Sequence, residues 1–259
     1  MSRIAVMNQK GGVGKTTTTL NLSAAIKING GKPIMIDMDP QSHLSSIQCP
    51  EPTGNEKGLW NFYESKQNLS TLTTEWESVG KLISSDKELI KVETKFGNGP
   101  SIVFRLKEGL TELESVYKNA DIVMDCPPSV GVLALNAIFA ADLVIIPISS
   151  DFLSLNGARK IEHTLKALET VMKRRVNRRY LFTKYDKRRL MSLQVFNMAK
   201  TYFGDDVCDV VINENVDLAK SPHENKDIFS YNPRSVGAAN YNELYHYLLQ
   251  QNLISKQLI

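Results

Sequence analysis

The chain has 259 residues, of which 42% are hydrophobic and 23% charged, with a formal net charge of +3 and three cysteines. That length and apolar content can bury a core without metals or disulfides, which excludes a disordered chain. The small net charge excludes a polyelectrolyte, and Cys49, Cys126 and Cys208 form no CxxC pair, which excludes a disulfide framework and points to a reducing cytoplasm.

In chain order, short apolar runs alternate with amphipathic stretches, the pattern of βαβ units and a mostly parallel sheet with helices on both faces. Residues 1–10 lack the apolar run of a secretory leader. Arg3 to Met7 reads as a buried strand and Thr16 to Asn29 as a helix that Gly30-Gly31 ends. Pro33 to Ile36 is the next strand. From Cys49 to Gly99 the sequence is polar and punctuated by Pro50, Pro52, Gly54, Gly97 and Gly99, with short helices expected at Leu59 to Tyr63 and Trp76 to Leu82.

From Pro100 onward, Ile102, Leu106, Leu110, Leu113 and Tyr117 mark one helix face. Asp121 to Met124 and Leu143 to Ile148 read as central strands. The apolar stretch 131–148 is broken by Asn136 and Asp142 and is too short to span a bilayer, so it reads as a helix followed by a strand. A long helix is expected over Leu153 to Lys173, strands at Tyr180 to Phe182 and Val207 to Ile212, and a last helix over Val236 to Leu249. With no repeat or linker, residues 1–259 read as a single domain.

The strongest chemical signal lies between the first strand and the first helix: Lys10-Gly11-Gly12-Val13-Gly14-Lys15-Thr16-Thr17. Glycines let successive backbone amides converge on phosphate oxygens, and the helix N-terminus adds partial positive charge. Lys15 is placed to reach β- and γ-phosphates and Thr16 to ligate Mg²⁺, so ATP with Mg²⁺ is the expected cofactor pair. The ordinary pattern, GxxxxGK followed by Ser or Thr, would need glycine where Gln9 stands. A variant with a second lysine, Lys10, fits instead.

That variant resembles the deviant Walker A loop of the ParA/MinD family of P-loop NTPases. Ile36-Asp37-Met38-Asp39-Pro40-Gln41-Ser42 resembles the family's DxDPQ segment, and Val123-Met124-Asp125-Cys126-Pro127-Pro128-Ser129 its Walker B strand. Tyr231-Asn232-Pro233-Arg234-Ser235-Val236-Gly237-Ala238 is similar to the segment before the family's last helix, and the DPQ and YNPRS forms favour the ParA/Soj branch.

The resemblance implies an ATP-dependent homodimer in which Lys10 crosses to the partner's phosphates, with Gly11, Gly12, Val13, Gly14, Lys15, Thr16 and Thr17 holding the nucleotide. It implies Asp39 as the residue that positions the attacking water, and Thr16, Asp125 and Asp37 on the metal side, although spacing alone does not divide the work between Asp37 and Asp39. An iron–sulfur reductase using Cys126 is disfavoured because Cys49 and Cys208 lie in unlike contexts. A membrane-binding C-terminal helix is disfavoured because, after Arg234, only Lys256 is basic. Since the phosphate-loop strand opens the sequence, no operator-binding extension is expected.

Charge collects between Lys173 and Arg189, where nine Lys and Arg face one Asp. Such asymmetry suggests a polyanion surface. By the family pattern, arginines that help bind nonspecific DNA follow the last strand, but this chain carries Glu214 and Asp217 there. Arg174, Arg175, Arg178, Arg188 and Arg189 therefore become the candidate DNA contacts. The expected function is a ParA-type ATPase that binds DNA nonspecifically and drives plasmid or chromosomal DNA segregation with a ParB-like partner. The alternative is an ATP-switched scaffold that positions other cargo.

Overall fold

The computed structural model describes residues 1–48, 58–96 and 100–255. The expectations resting on Cys49, Pro50, Pro52, Gly54, Gly97, Gly99 and Lys256 lie outside the described residues. The strands are β1 (Arg3–Val6), β2 (Lys32–Asp37), β3 (Thr73–Trp76), β4 (Gly80–Ile83), β5 (Ala120–Asp125), β6 (Leu143–Ser149), β7 (Asn177–Tyr185) and β8 (Val207–Asn213). The helices are α1 (Lys15–Ile28), α2 (His43–Gln48), α3 (Leu59–Glu64), α4 (Lys91–Phe96), α5 (Arg105–Val116), α6 (Val132–Ala140), α7 (Phe152–Met172), α8 (Leu190–Phe203), α9 (Val216–Lys220), α10 (Ile228–Tyr231) and α11 (Val236–Gln250).

One sheet runs in the order β3-β4-β2-β5-β1-β6-β7-β8, with β3 antiparallel to β4 and every other pairing parallel. Strand side chains alternate between faces. Ile4, Val6, Val123, Ile145 and Leu181 join Tyr241, Leu244 and Leu248 of α11 and Leu22 and Ile26 of α1. Ala5, Met7, Ile122, Met124, Ile146, Tyr180 and Phe182 pack instead on Leu110 of α5, Leu133 of α6, Leu165 of α7 and Val195 of α8. This gives the three-layer P-loop NTPase architecture expected from the sequence. Full burial of one such Leu contributes about 1.5–3 kcal/mol.

The C-terminal helix packs on the sheet as expected. Ser235 caps α11 by accepting from the Ala238 amide at 3.1 Å, and a Cβ on Gly237 would stand 2.6 Å from Leu218. The YNPRSVGA segment thus serves a cap and a close approach. Among the described residues, no helix is long and apolar enough to cross a membrane.

Two expectations fail. Trp76 to Leu82 is the edge hairpin of β3 and β4 and not a helix. Gly80, at φ +133, turns against Pro33, where a Cβ would meet the Pro33 carbonyl at 2.3 Å. Pro100 to Phe104 is a 3-10 turn, and the α-helix begins only at Arg105.

The third correction concerns charge. The segment 173–189 forms no single patch, because β7 runs through it. Arg178 and Lys184 lie about 20 Å apart along that strand. Arg174 and Arg175 sit at the strand's entry, and Arg188 and Arg189 beyond its C-terminal end. Arg178 cannot contact DNA: its side chain is 3% exposed, with Nη2 2.6 Å from Glu169 and Nη1 3.2 Å from Glu162. Arg178→Ala should therefore cost about 3–5 kcal/mol of stability, since it removes the buried cation that pairs with Glu162 and Glu169. Arg188→Ala, whose side chain is 84% exposed, should change stability by no more than about 0.5 kcal/mol. Denaturant unfolding of the two variants distinguishes these outcomes.

Candidate nucleotide site

All candidate nucleotide residues lie at the C-terminal ends of the strands, where open α/β sheets bind ligands. The loop from Asn8 to Gly14 leaves β1 and turns into α1. Gly12 and Gly14 take φ +75 and +89, values that L side chains avoid. A Cβ on Gly11 or Gly12 would meet nothing within 4 Å, so the cradle is open where phosphates would lie. Gly14 is the N-cap of α1 and makes no side-chain cap bond, which leaves the first-turn amides to an external anion. Val13 is fully buried and anchors the loop.

Lys15 is 8% exposed and folds back into its own loop, donating to the Lys10 carbonyl at 3.3 Å. Lys10 goes the other way. Its Nζ lies 3.1 Å from Asp151, and both side chains are about one-third exposed. Asp151 also accepts from Ser149 Oγ at 2.6 Å and from the Ser154 amide at 2.9 Å, which caps α7. Burial works against the Asp151 charge, but these bonds and Lys10 outweigh it and hold the carboxyl below its ordinary value.

Asp37 and Asp125 face each other in register on β2 and β5. Thr16 Oγ1 donates to Asp125 Oδ2 at 2.7 Å, while Asp125 Oδ1 is buried with no hydrogen-bond partner. Burial, and then the charge of Asp37, push Asp125 well above the usual carboxylate range. Burial likewise pushes Asp37 up to about 6, although Ser45 donates to it through both hydroxyl and amide. An orphaned buried carboxylate oxygen beside a threonine hydroxyl is a donor set that fits Mg²⁺. Thr16 and Asp125 would hold the ion, with Asp37 behind them fixing the turn to Asp39 and Ser45. Asp39 is 9% exposed, accepts from the Gln41 amide at 3.0 Å and has its carbonyl held by Ser85. Thr17 lies on the first turn of α1, its carbonyl accepting from Asn21.

Sequence reasoning missed the groups that brace the loop. Asn8, 1% exposed, donates to the carbonyls of Pro147 and Ser154 and accepts from the Lys10 amide. Gly157 of α7 approaches so closely that a Cβ would meet Asn8 Oδ1 at 2.3 Å. Thr183 donates to the Val13 carbonyl and Lys184 to that of Gly12, both at 2.8 Å. Apart from the Lys10 amide bond, these contacts join residues more than 130 positions apart, so no local pattern announces them. Cys126 and Cys208 are buried free thiols, and among the described residues no His, Cys, Asp and Glu cluster could hold a metal by itself.

The AAA domain family model matches residues 1–178. Chromosome partitioning protein ParA of Caulobacter vibrioides is 31% identical over 243 residues, spanning 93% of this chain and 91% of that protein. The chain belongs to the ParA/Soj family of P-loop ATPases. Sporulation initiation inhibitor protein Soj of Bacillus subtilis is 34% identical, over 93% of this chain and 95% of its own. Among solved structures, cobyrinic acid a,c-diamide synthase from Mycobacterium smegmatis with ADP and magnesium aligns at a TM-score of 0.82 and 25% identity, covering 100% of this chain and 98% of that one. At the ends of β2 and β5 the paired Asp37 and Asp125 pack against each other.

That packing sets a pH dependence. Asp37 ionises higher in the folded chain, at about 6, than an unfolded aspartate does, near 4. The folded state therefore binds more protons at Asp37 between those values, and the Asp37 contribution to stability falls as pH rises through the window. Thermal melts in chelator should show the wild type losing stability relative to Asp37→Asn between about pH 4 and 6, and Mg²⁺ with ATP should abolish that trend. A wild-type melting temperature that climbs relative to the variant through the window would contradict the arrangement.

Proposed function

We propose that the chain is a partition ATPase that binds ATP with Mg²⁺, pairs with a second copy across the nucleotide face, and binds DNA without sequence preference. Hydrolysis, slow alone and stimulated by a ParB-like activator, releases it, so that plasmid or chromosomal DNA is segregated. The cycle runs in the cytoplasm, on the nucleoid while ATP is bound. The observation that carries this reading is the divergence of the two loop lysines: Lys15 turns into its own cradle, whereas Lys10 stands at the rim on Asp151. A lysine at the rim, turned away from its own cradle, supports contact with phosphates held by a second copy. Phe152, Leu153, Leu190 and Met191 are exposed apolar side chains on the neighbouring helix starts, the kind of surface a face-to-face pair would cover.

Within that reading, the amides of Gly11 to Thr17 and Lys15 bind the phosphates, and Thr16 and Asp125 hold the ion. The ion supplies charge neutralisation between the phosphates. Asp39 orients water, and Lys10 in trans offsets the charge that grows on the transferring group, as an arginine finger does. Arg188 and Arg189 are the DNA contacts retained from the basic segment, on the same end of the sheet as the nucleotide. Glu214 pairs with Arg189 at 2.9 Å, and Asp217 accepts from Asn232, so these acids have local structural partners.

Asp39→Ala should keep ATP binding and accumulate as a dimer in sedimentation with ATP and Mg²⁺, while turnover falls by about a hundredfold. A wild-type hydrolysis rate in that variant would move the water-positioning role elsewhere. Arg188→Glu with Arg189→Glu should weaken retention on random DNA and flatten log K against log salt by about 0.9 per lost contact. The pair Arg174→Glu with Arg175→Glu, at the far end of β7, should leave both unchanged. Equal effects from the two pairs would refute this surface, and no DNA retention by the wild type with ATP would favour the scaffold alternative.

A further inference from the structure

β5 ends at Asp125 and α6 begins at Val132, and the six residues between them leave the metal side of the nucleotide site. At its start this connection is held by the sheet. The Asp125 carbonyl accepts from the Met38 amide at 2.9 Å, and the Cys126 amide donates to the Val6 carbonyl at 3.1 Å. Pro127 and Pro128 then carry no amide hydrogen. The amides of Ser129, Val130 and Gly131 donate to no protein group among the described residues, which leaves them for a ligand or solvent. Gly131 is the N-cap of α6 and has no side chain to cap it with, so the first amides of the helix need an acceptor from elsewhere.

That acceptor is Glu93 of α4. Its Oε2 accepts from the Val132 amide at 2.9 Å and its Oε1 from the Leu133 amide at 3.3 Å. The carboxylate fills the space over Gly131, where a Cβ would stand 2.2 Å from Oε1. A negative group at a helix N-terminus is favoured by the helix dipole as well as by the hydrogen bonds. Glu93 is anchored in turn, because its neighbour Val92 is fully buried and Lys95 Nζ lies 2.6 Å from Glu64 of α3. The body of α6 has a separate tie. Asn136, fully buried, accepts from the Leu106 amide at 3.0 Å and donates to the Val132 carbonyl at 2.9 Å.

We infer that Glu93 is a positioning residue for ATP hydrolysis: it holds the far end of the connection that starts at Asp125, and so sets where the backbone after that carboxylate stands against the terminal phosphate. This rests on the ATPase reading proposed above and adds to it a residue outside the phosphate loop and the three aspartates. Asp125 keeps its place through the sheet, and the phosphates are gripped by Lys15 and the amides of the loop before α1, so ground-state binding does not depend on Glu93. Placement of the backbone beside the reacting phosphate concerns the transition state, so the effect falls on turnover.

The test is steady-state ATP hydrolysis by the full chain with Mg²⁺, with kcat and KM resolved. Glu93→Ala should lower kcat by about tenfold to a hundredfold while KM stays within about threefold. Glu93→Gln keeps an acceptor oxygen and should hold kcat within about threefold of the wild type. Gly131→Ala reaches the same contact from the other side, since its methyl would displace the carboxylate. It should match Glu93→Ala, and the two together should be no worse than either alone. Ser235→Ala removes a helix cap on the opposite face of the sheet and should leave kcat unchanged. Melts establish which variants are folded, and Gly131→Ala decides the matter alone if Glu93→Ala does not fold. Wild-type kcat in either folded variant, additive losses in the pair, an equal loss in Ser235→Ala, or a KM that rises as far as kcat falls overturns this inference and leaves the ATPase reading standing. Failure of both Glu93→Ala and Gly131→Ala to fold also overturns it, since the contact would then only hold the fold. Absence of hydrolysis by the wild type overturns both readings.

Discussion

Three carboxylates are held within a buried pocket beside a single inward-turned lysine, and the rest of the structure is arranged around that unfavourable concentration of charge. Asp37 and Asp125 are forced together because β2 and β5 pair in register at their ends. Burial of like charges raises the proton affinity of both, and an oxygen of Asp125 is left without a partner. A divalent ion and a polyphosphate resolve this together, the ion relieving the carboxylates and the phosphates satisfying Lys15 and the free amides of α1. The fold thus carries a deficit that a nucleotide with its metal fills, and ligand binding is linked to stability.

Groups from distant elements hold the carbonyls of the phosphate loop and its first residue. Asn8 ties it to β6 and α7, and Thr183 and Lys184 tie it to β7. Such bracing pre-forms the cradle and lowers the ordering cost of binding. It also couples the loop to α7, whose N-cap Asp151 holds Lys10 at the rim. Asp151 thus links the rim lysine to the start of α7.

Much of this was legible in the sequence. The βαβ rhythm, the loop between β1 and α1 and the aspartates at strand ends are local patterns, and local patterns survive translation into structure. The helix expected at Trp76 to Leu82 failed because an edge hairpin is defined by its turn and its neighbours, with Gly80 fitting against Pro33. The basic segment failed differently. Counting charge along the chain cannot see that a strand of nine residues separates the two clusters, nor that Arg178 turns inward onto Glu162 and Glu169. The bracing residues Asn8 and Thr183 were invisible because hydrogen bonds between the loop and residues 130 or more positions away leave no periodicity to read.

The central claim is that the carboxylate pocket and the inward lysine form one nucleotide-and-metal site. Calorimetric titration of ATP into the wild type and into Lys15→Ala, each with Mg²⁺ and with chelator, tests it most directly. The account predicts saturable binding by the wild type that weakens by about tenfold or more without Mg²⁺, and loss of at least about a hundredfold in the variant. Wild-type ATP affinity in Lys15→Ala, or binding indifferent to Mg²⁺, would contradict it.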